Sequence, residues 1–150
     1  MVKLSMSCLV IIVLCVSNVY AQESGFGLGI ILGEPTGLSC KIWTTSTTAV
    51  DAAAAWSFAD ESALHLHADY LFHNFSLIDV ERGLVPLYFG IGGRIKLEDD
   101  SKVGVRIPVG IGYFFEGAPL DFFLELVPIL DLAPDTEFEF NGALGLRYFF

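Results

Sequence analysis

The chain has little charge, and positive charge is especially scarce. Only 17% of its 150 residues are charged, with 8 Lys and Arg against 18 Asp and Glu. A nucleic-acid surface needs clustered Lys and Arg to neutralise phosphates, so this composition argues against a nucleic-acid partner. Hydrophobic residues make up 53% of the chain and 13 residues are Phe, which excludes an intrinsically disordered protein. The chain is also unusually apolar for a soluble domain.

The N-terminus has the pattern of an export signal. Lys3 precedes an apolar run from Leu9 to Val16, and small residues follow shortly before position 22. This order is typical of a secretory signal peptide, so we expect a cleaved signal over residues 1–21 and one domain over residues 22–150. A lipoprotein signal is the alternative, but bulky residues precede Cys15 where lipidation normally requires small ones.

Disulfides and membrane helices are both missing from the predicted domain. Cleavage of the signal would leave Cys40 as its one cysteine, which excludes an internal disulfide. No later stretch reaches the ~18 uninterrupted apolar residues of a membrane helix. Any insertion into lipid would therefore require a closed β-barrel, because backbone polar groups must then be satisfied within the protein.

The domain alternates between apolar and small or polar residues, which predicts β-strands. Turn-like residues separate the strands, and the longest connection is 74–83. Each segment is long enough to cross a bilayer as a tilted strand of ~9 to 11 residues. The eight segments are residues 25–33, 36–45, 48–58, 62–73, 84–97, 102–115, 119–132 and 137–150.

One face of these segments is apolar throughout, while the other combines Gly and Ala with isolated charges. A soluble barrel would need a richly polar outer coat, which the second face does not supply. Small residues with a few charges instead suit the narrow interior of an eight-stranded barrel. An apolar exterior with a polar interior is the arrangement of outer-membrane barrels. We therefore predict an all-β, eight-stranded, antiparallel up-and-down transmembrane β-barrel in the bacterial outer membrane; a soluble barrel or sandwich is the alternative.

The C-terminal strand ends in alternating large residues, with Leu144, Leu146, Tyr148 and Phe150 on one face. A chain with an export signal, eight alternating segments and this final strand resembles the small outer-membrane β-barrels of the OmpA and OmpX type. The resemblance implies that Tyr148 and Phe150 form an assembly signal for the barrel-assembly machinery, and that both termini face the periplasm. With the termini in the periplasm, the outward-facing connections are acidic and carry Glu34, Asp60, Glu61, Glu98, Asp99, Asp100 and Asp135. Because carboxylates bind Ca²⁺ and Mg²⁺, this rim is expected to contact outer-membrane lipids and lipopolysaccharide phosphates; a merely solvated edge is the alternative. The connections are shorter than in familiar members, which weakens the expectation of an extracellular partner.

The charged residues of the inner face are expected to form a network in the lumen. Buried charges must be paired or hydrogen-bonded, so we expect ion pairs across the barrel. A narrow pore with charged rings is the alternative. The predicted network consists of Lys41, Asp51, Asp69, Arg94, Lys96, Arg106, Asp121, Glu125, Asp131, Glu137, Glu139 and Arg147.

Three residues on one predicted strand could also hold a metal ion. His65, His67 and Asp69 alternate, so their side chains project to the same side, and a His-x-His pair can chelate one metal. The alternative is that they are ordinary members of the polar network. His73 is expected at the rim.

The sequence contains no recognisable catalytic dyad or cofactor motif. Ser57 and Ser62 lie near the rim, and nothing in the sequence places either hydroxyl beside His65. We therefore expect no cofactor and no enzymatic activity, but a barrel that contributes to envelope structure. The alternatives are a surface-binding protein or adhesin, a narrow small-solute pore and, least favoured, a lipid-modifying barrel enzyme.

Overall fold

A computed structural model describes residues 25–34, 36–57 and 63–150. The predicted signal peptide lies outside the described residues. Within the described ranges, no helix has the length and apolar character needed to cross a membrane.

The described chain is a meander of antiparallel β-strands in which the first strand pairs with the last and closes a ring. The strands alternate between apolar and small or polar residues. Because successive side chains of a strand point to opposite faces, this alternation gives the sheet one inward and one outward face. The strands are β1 (Phe26–Glu34), β2 (Thr36–Trp43), β3 (Thr48–Ser57), β4 (Ala63–Asn74), β5 (Leu87–Leu97), β6 (Lys102–Arg106), β7 (Val109–Phe114), β8 (Leu120–Ala133) and β9 (Glu137–Phe149).

Strands β6 and β7 occupy one position in the ring, since both lie between β5 and β8. They are separated at Ile107 and Pro108, because proline has no N–H to donate to the ladder. The sheet stays joined there: the N–H of Gly90 donates to the carbonyl of Pro108 at 2.9 Å, and the N–H of Ile107 donates to Pro128 at 3.0 Å. The predicted eight-stranded antiparallel barrel is confirmed, with segment 102–115 divided in two.

The two faces of the barrel are reversed relative to a soluble protein. Large apolar side chains point outward from the described strands. On β8, for example, Leu126 is 65% exposed, whereas its neighbour Glu125 is 8% exposed. The charged side chains described within the strands are buried, apart from three at one rim: Lys102, Glu137 and Glu139. The interior also holds a small apolar cluster that includes Leu71 and Phe123. The exterior of the strands is therefore an uncharged apolar belt.

Inward-facing glycines make room for large side chains on neighbouring strands. A Cβ on Gly92 would collide with the carboxylate of Asp69, its partner across the ladder. The same relation recurs around the barrel, so glycine is required by close approach rather than by backbone conformation. The further pairs are Tyr88 with Gly110, Gly104 with Asp131, and Phe123 with Gly145.

The two ends of the barrel differ. β1 begins and β9 finishes at the same end, named here the termini end, where the N–H of Phe150 donates to the carbonyl of Phe26 at 2.9 Å. The longest described connection, 75–86, also lies there and pairs with the sheet through Leu84 and Phe114. Outward aromatic residues gather at this end. They are Tyr70, Phe72, Phe89, Tyr113, Phe115, Phe122, Tyr148 and Phe150.

Candidate functional site

The interior of the barrel, or lumen, brings together most of the residues that the sequence assigned to it. Two predicted members lie at the rim of the opposite end, with Glu139 half-buried and Glu137 exposed. Glu137 has the inward parity, but β9 begins there and its side chain stays in solvent, where it bonds to Lys102 at 2.9 Å. The ten buried members are Lys41, Asp51, Asp69, Arg94, Lys96, Arg106, Asp121, Glu125, Asp131 and Arg147.

Near the opposite end, Arg94 joins β5 to β8 and β9. Its guanidinium donates two hydrogen bonds to Asp131, at 3.0 Å from Nε and 2.5 Å from Nη2, and Nη2 also donates to Glu139 at 2.5 Å. Asp131 is fully buried. The pair of hydrogen bonds from Arg94 to Asp131 is the strongest form of arginine–carboxylate pairing. Close by, the Lys96 ammonium lies 3.8 Å from Glu98.

In the middle of the lumen, Arg106 crosses from β6 to β4. Its Nε lies 2.8 Å from Oδ1 and 3.0 Å from Oδ2 of Asp69, and its Nη2 lies 3.7 Å from Glu125. The hydroxyl of Tyr88 donates to the other oxygen of Glu125 at 3.4 Å. Glu125 therefore accepts weaker contacts than Asp69, although both carboxylates are buried.

Arg147 on β9 connects more distant parts of the chain. Its guanidinium lies 3.1 Å from Asp51 and 3.6 Å from Asp121, and its Nε donates to the Ser39 hydroxyl at 3.0 Å. The same guanidinium stacks 4.0 Å from the ring centroid of Phe123. One side chain thus links β2, β3, β8 and β9.

The termini end of the lumen is filled by aromatic rings around Lys41. The Lys41 ammonium donates to Nε2 of His73 at 2.8 Å and lies 4.4 Å from the Trp43 ring centroid. The rings of Tyr88 and Phe114 are each 5.7 Å away, which is cation–π distance. We name this cluster the aromatic plug: Trp43, His73, Phe75, Tyr88, Phe114 and Phe149.

Sequence reasoning missed most of the plug. His73 was expected at the rim, but it is buried. Its ring contacts the Lys41 ammonium and stacks on Phe75 of the 75–86 connection. Trp43 could have been found, since it has the same parity as Lys41. Phe75 lies in the connection, where no strand period applies.

Little space remains between the ion pairs. A cavity of about 20 Å³ lies between Asp51, His67 and Glu125, with Arg106 and Arg147 in its wall. That volume holds roughly one water molecule. The arrangement can bind a single small species in the middle of the barrel.

The structure changes the composition of the predicted metal-ligating set. Asp51, His67 and Asp69 place ligand atoms within 4.8 Å of one another. His65 is buried on the same face of β4 but is outside this group. Ser57 and Ser62, the hydroxyls considered for catalysis, lie outside the described side chains.

No family model and no curated protein matches the chain. Among solved structures, it is similar to the crystal structure of the N-terminal β-barrel domain of Pseudomonas aeruginosa OprF, with a TM-score of 0.65 and 13% identity. The match covers 85% of this chain and 98% of that one. The chain has an OmpA-like barrel fold. The family resemblance predicted from the sequence is therefore confirmed in fold.

Proposed function

We propose that this protein is a non-enzymatic barrel of the bacterial outer membrane that contributes to the structure of the cell envelope. The observation that carries the proposal is the reversed distribution of side chains. Described strands present an apolar exterior, and Arg94, Arg106 and Arg147 all point inward. Exposure of such an apolar surface to water is unfavourable, whereas contact with the hydrocarbon of a bilayer is favourable.

The ends of the belt fit a membrane interface. Aromatic residues form girdles at the two interfaces of outer-membrane barrels. The termini end carries outward rings such as Tyr70 and Tyr148, while Trp56, Phe138 and Phe140 are exposed near the opposite end. These rings support a barrel that spans a bilayer, and the resemblance to small outer-membrane barrels would put its termini end at the periplasmic interface.

The filled lumen supports a structural role over conduction. Ion pairs from Arg94, Arg106 and Arg147 cross the barrel, and the aromatic plug occupies one end. The cavity between these ion pairs, about 20 Å³ in volume, holds roughly one water molecule. The narrow pore is therefore the less supported alternative.

Two groups of residues suggest partners. Tyr148, near the end of β9, and Phe150, directly after it, point outward with ring centroids 5.0 Å apart, which leaves them accessible as the assembly signal proposed for the barrel-assembly machinery. Asp99, Asp100 and Asp135 are exposed at the opposite end. Carboxylates there could share divalent cations with lipopolysaccharide phosphates, which is the partner we propose at the outer face.

Fractionation tests the proposed location. The full chain, expressed in a Gram-negative host, should sediment with outer membranes and require detergent for extraction. A closed barrel should also migrate faster on a gel before boiling than after it. A chain truncated before β9 provides the control, because it lacks the strand that closes the ring. Recovery of the full chain as a detergent-free soluble monomer would refute the proposal.

Conductance separates the structural role from the pore. The purified barrel in a planar lipid bilayer should give no stepwise currents, because the lumen is filled. Trp43→Ala provides a comparison, since it removes the ring nearest Lys41 from the plug. Regular channel openings by the unmodified protein would favour the pore.

A further inference from the structure

Two carboxylates directly face each other inside the barrel. Asp51 on β3 and Asp69 on β4 are partners across the ladder, and both side chains are buried. Like charges in this position repel, so a cation between them is favoured. His67 lies two residues before Asp69 on the same face, with its Nε2 3.9 Å from the Asp69 carboxylate. We propose that this place binds one divalent first-row transition-metal ion, with Zn²⁺ as the probe.

The balance of charge around the cavity favours a cation. In the part of the chain that the structure describes, four carboxylates, those of Asp51, Asp69, Asp121 and Glu125, contact two guanidiniums, those of Arg106 and Arg147. Lys41 is the next cation toward the termini end, where its ammonium is held by His73 in the aromatic plug. The carboxylates therefore outnumber the cations that contact them.

Two buried oxygens at the cavity have no hydrogen-bond partner among the described residues. They are Oδ1 of Asp51, whose residue is 3% exposed, and Oε1 of Glu125, which Arg106 approaches only to 3.7 Å; both residues line the cavity beside His67. A buried acceptor without a partner is unfavourable by ~1 to 3 kcal/mol. A metal ion bound by Asp51, His67 and Asp69 would satisfy the Asp51 oxygen.

The donor set determines the class of metal. One imidazole with two or three carboxylates suits a borderline cation such as Zn²⁺ better than Ca²⁺, which prefers six to eight oxygen ligands. In tetrahedral coordination, ligand bonds of ~2.0 to 2.2 Å place two donors ~3.3 to 3.6 Å apart. The ligand atoms of Asp51, His67 and Asp69 lie within 4.8 Å of one another, so side-chain movements of roughly 1 Å would bring them to these distances.

The closed lumen determines how the ion enters. The plug and the ion pairs from Arg94 lie on either side of the cavity, so we expect the ion to enter while the barrel folds and to leave slowly afterwards. Once bound, it would join β3 to β4 through Asp51, His67 and Asp69. This proposal depends on the closed barrel but not on its location in a membrane.

The test uses the tag-free full domain refolded into detergent, with and without Zn²⁺. After gel filtration, elemental analysis should give about one zinc per chain in the protein folded with the metal. A chelator added after folding should remove this zinc far more slowly than one added before folding. Co²⁺ in place of Zn²⁺ should give visible absorption bands that report imidazole and oxygen ligands.

His67→Ala and Asp51→Asn should each weaken zinc binding at least about ten-fold. His65→Ala is the matched control, because it removes a buried histidine from the same face of β4 outside the proposed ligand set. Gel migration before boiling verifies that each variant has closed. If His67→Ala does not fold, Asp51→Asn decides the test.

Folded wild-type protein that retains no zinc would overturn the proposal. Equal loss of zinc in the His65→Ala and His67→Ala variants would also overturn it. Failure in either way would leave the proposed envelope role intact, since fractionation and gel migration measure that role separately.

Discussion

Leu126 lies halfway along β8 on the outward face of the barrel, and 65% of its surface is exposed. Leu126→Arg would place a guanidinium at the centre of the proposed hydrocarbon belt. We expect this change to lower the free energy of unfolding by ~2 to 4 kcal/mol, the range for a basic residue at the bilayer midplane. On a water-exposed surface, the same change would be within ~0.5 kcal/mol of neutral.

Leu132 provides a matched position because it lies on the same face of the same strand, near its end. Leu132→Arg should lower the free energy of unfolding by only ~0 to 1 kcal/mol, since the guanidinium can reach the interface. The difference between the two variants therefore measures depth in the membrane and not the loss of leucine packing.

Urea titration of each variant in lipid vesicles measures these free energies. The fluorescence of Trp43 and Trp56 reports folding, and gel migration before boiling confirms closure of the barrel. Equal stability of the wild type and both variants would refute the membrane-facing belt. Refolding of Leu126→Arg in the absence of lipid and detergent would refute it as well.

Three further predictions concern the interior and the C-terminus. Arg94→Met should destabilise the barrel by ~3 to 5 kcal/mol because it leaves the Asp131 charge buried and unpaired, whereas Lys102→Met at the rim should lower stability by about 1 kcal/mol or less in the same titration. Glu125→Gln should fold and be less damaging than Leu126→Arg, since its contacts are long and an acceptor remains; the reverse order would mean that the apolar face is inside. Deletion of Phe150 should reduce the amount of protein inserted into outer membranes, measured by immunoblot, and unchanged insertion at several expression levels would contradict the assembly signal.

The face of each residue was predictable because it depends only on local alternation. Period two placed Glu125 inside and Leu126 outside without any knowledge of the partner strands. The interruption at Pro108 was visible in the sequence, but whether a proline ends a strand or bends it depends on the neighbouring strands. Here both neighbours pair on each side of the break, so β6 and β7 share one position.

The level of each charged side chain along the barrel axis, and the partner with which it forms an ion pair, were not predictable from the alternation of residues. Arg147 bonds to Asp51, 96 positions away, and to Ser39, 108 positions away, because closure of the ring and the stagger of its strands bring them to one level. Glu137 has the parity of the lumen set and nevertheless lies at the rim. The metal-ligating candidate changed for the same reason, since Asp51 reaches His67 from a neighbouring strand while His65 does not join them.

The position of Arg147 on the last strand has a consequence for the order of assembly. Until β9 arrives, a sheet of β1 to β4 would carry Lys41, Asp51 and Asp69 on an open face without the arginines that neutralise the two carboxylates. In a bilayer, such a half-built sheet would expose bare charges and an unpaired edge to hydrocarbon. We therefore expect strands that enter the membrane one at a time to stall, and the interior to lose its water in one concerted step as the ring forms. β9 would complete that step, because it closes the ring and brings Arg147 to Asp51.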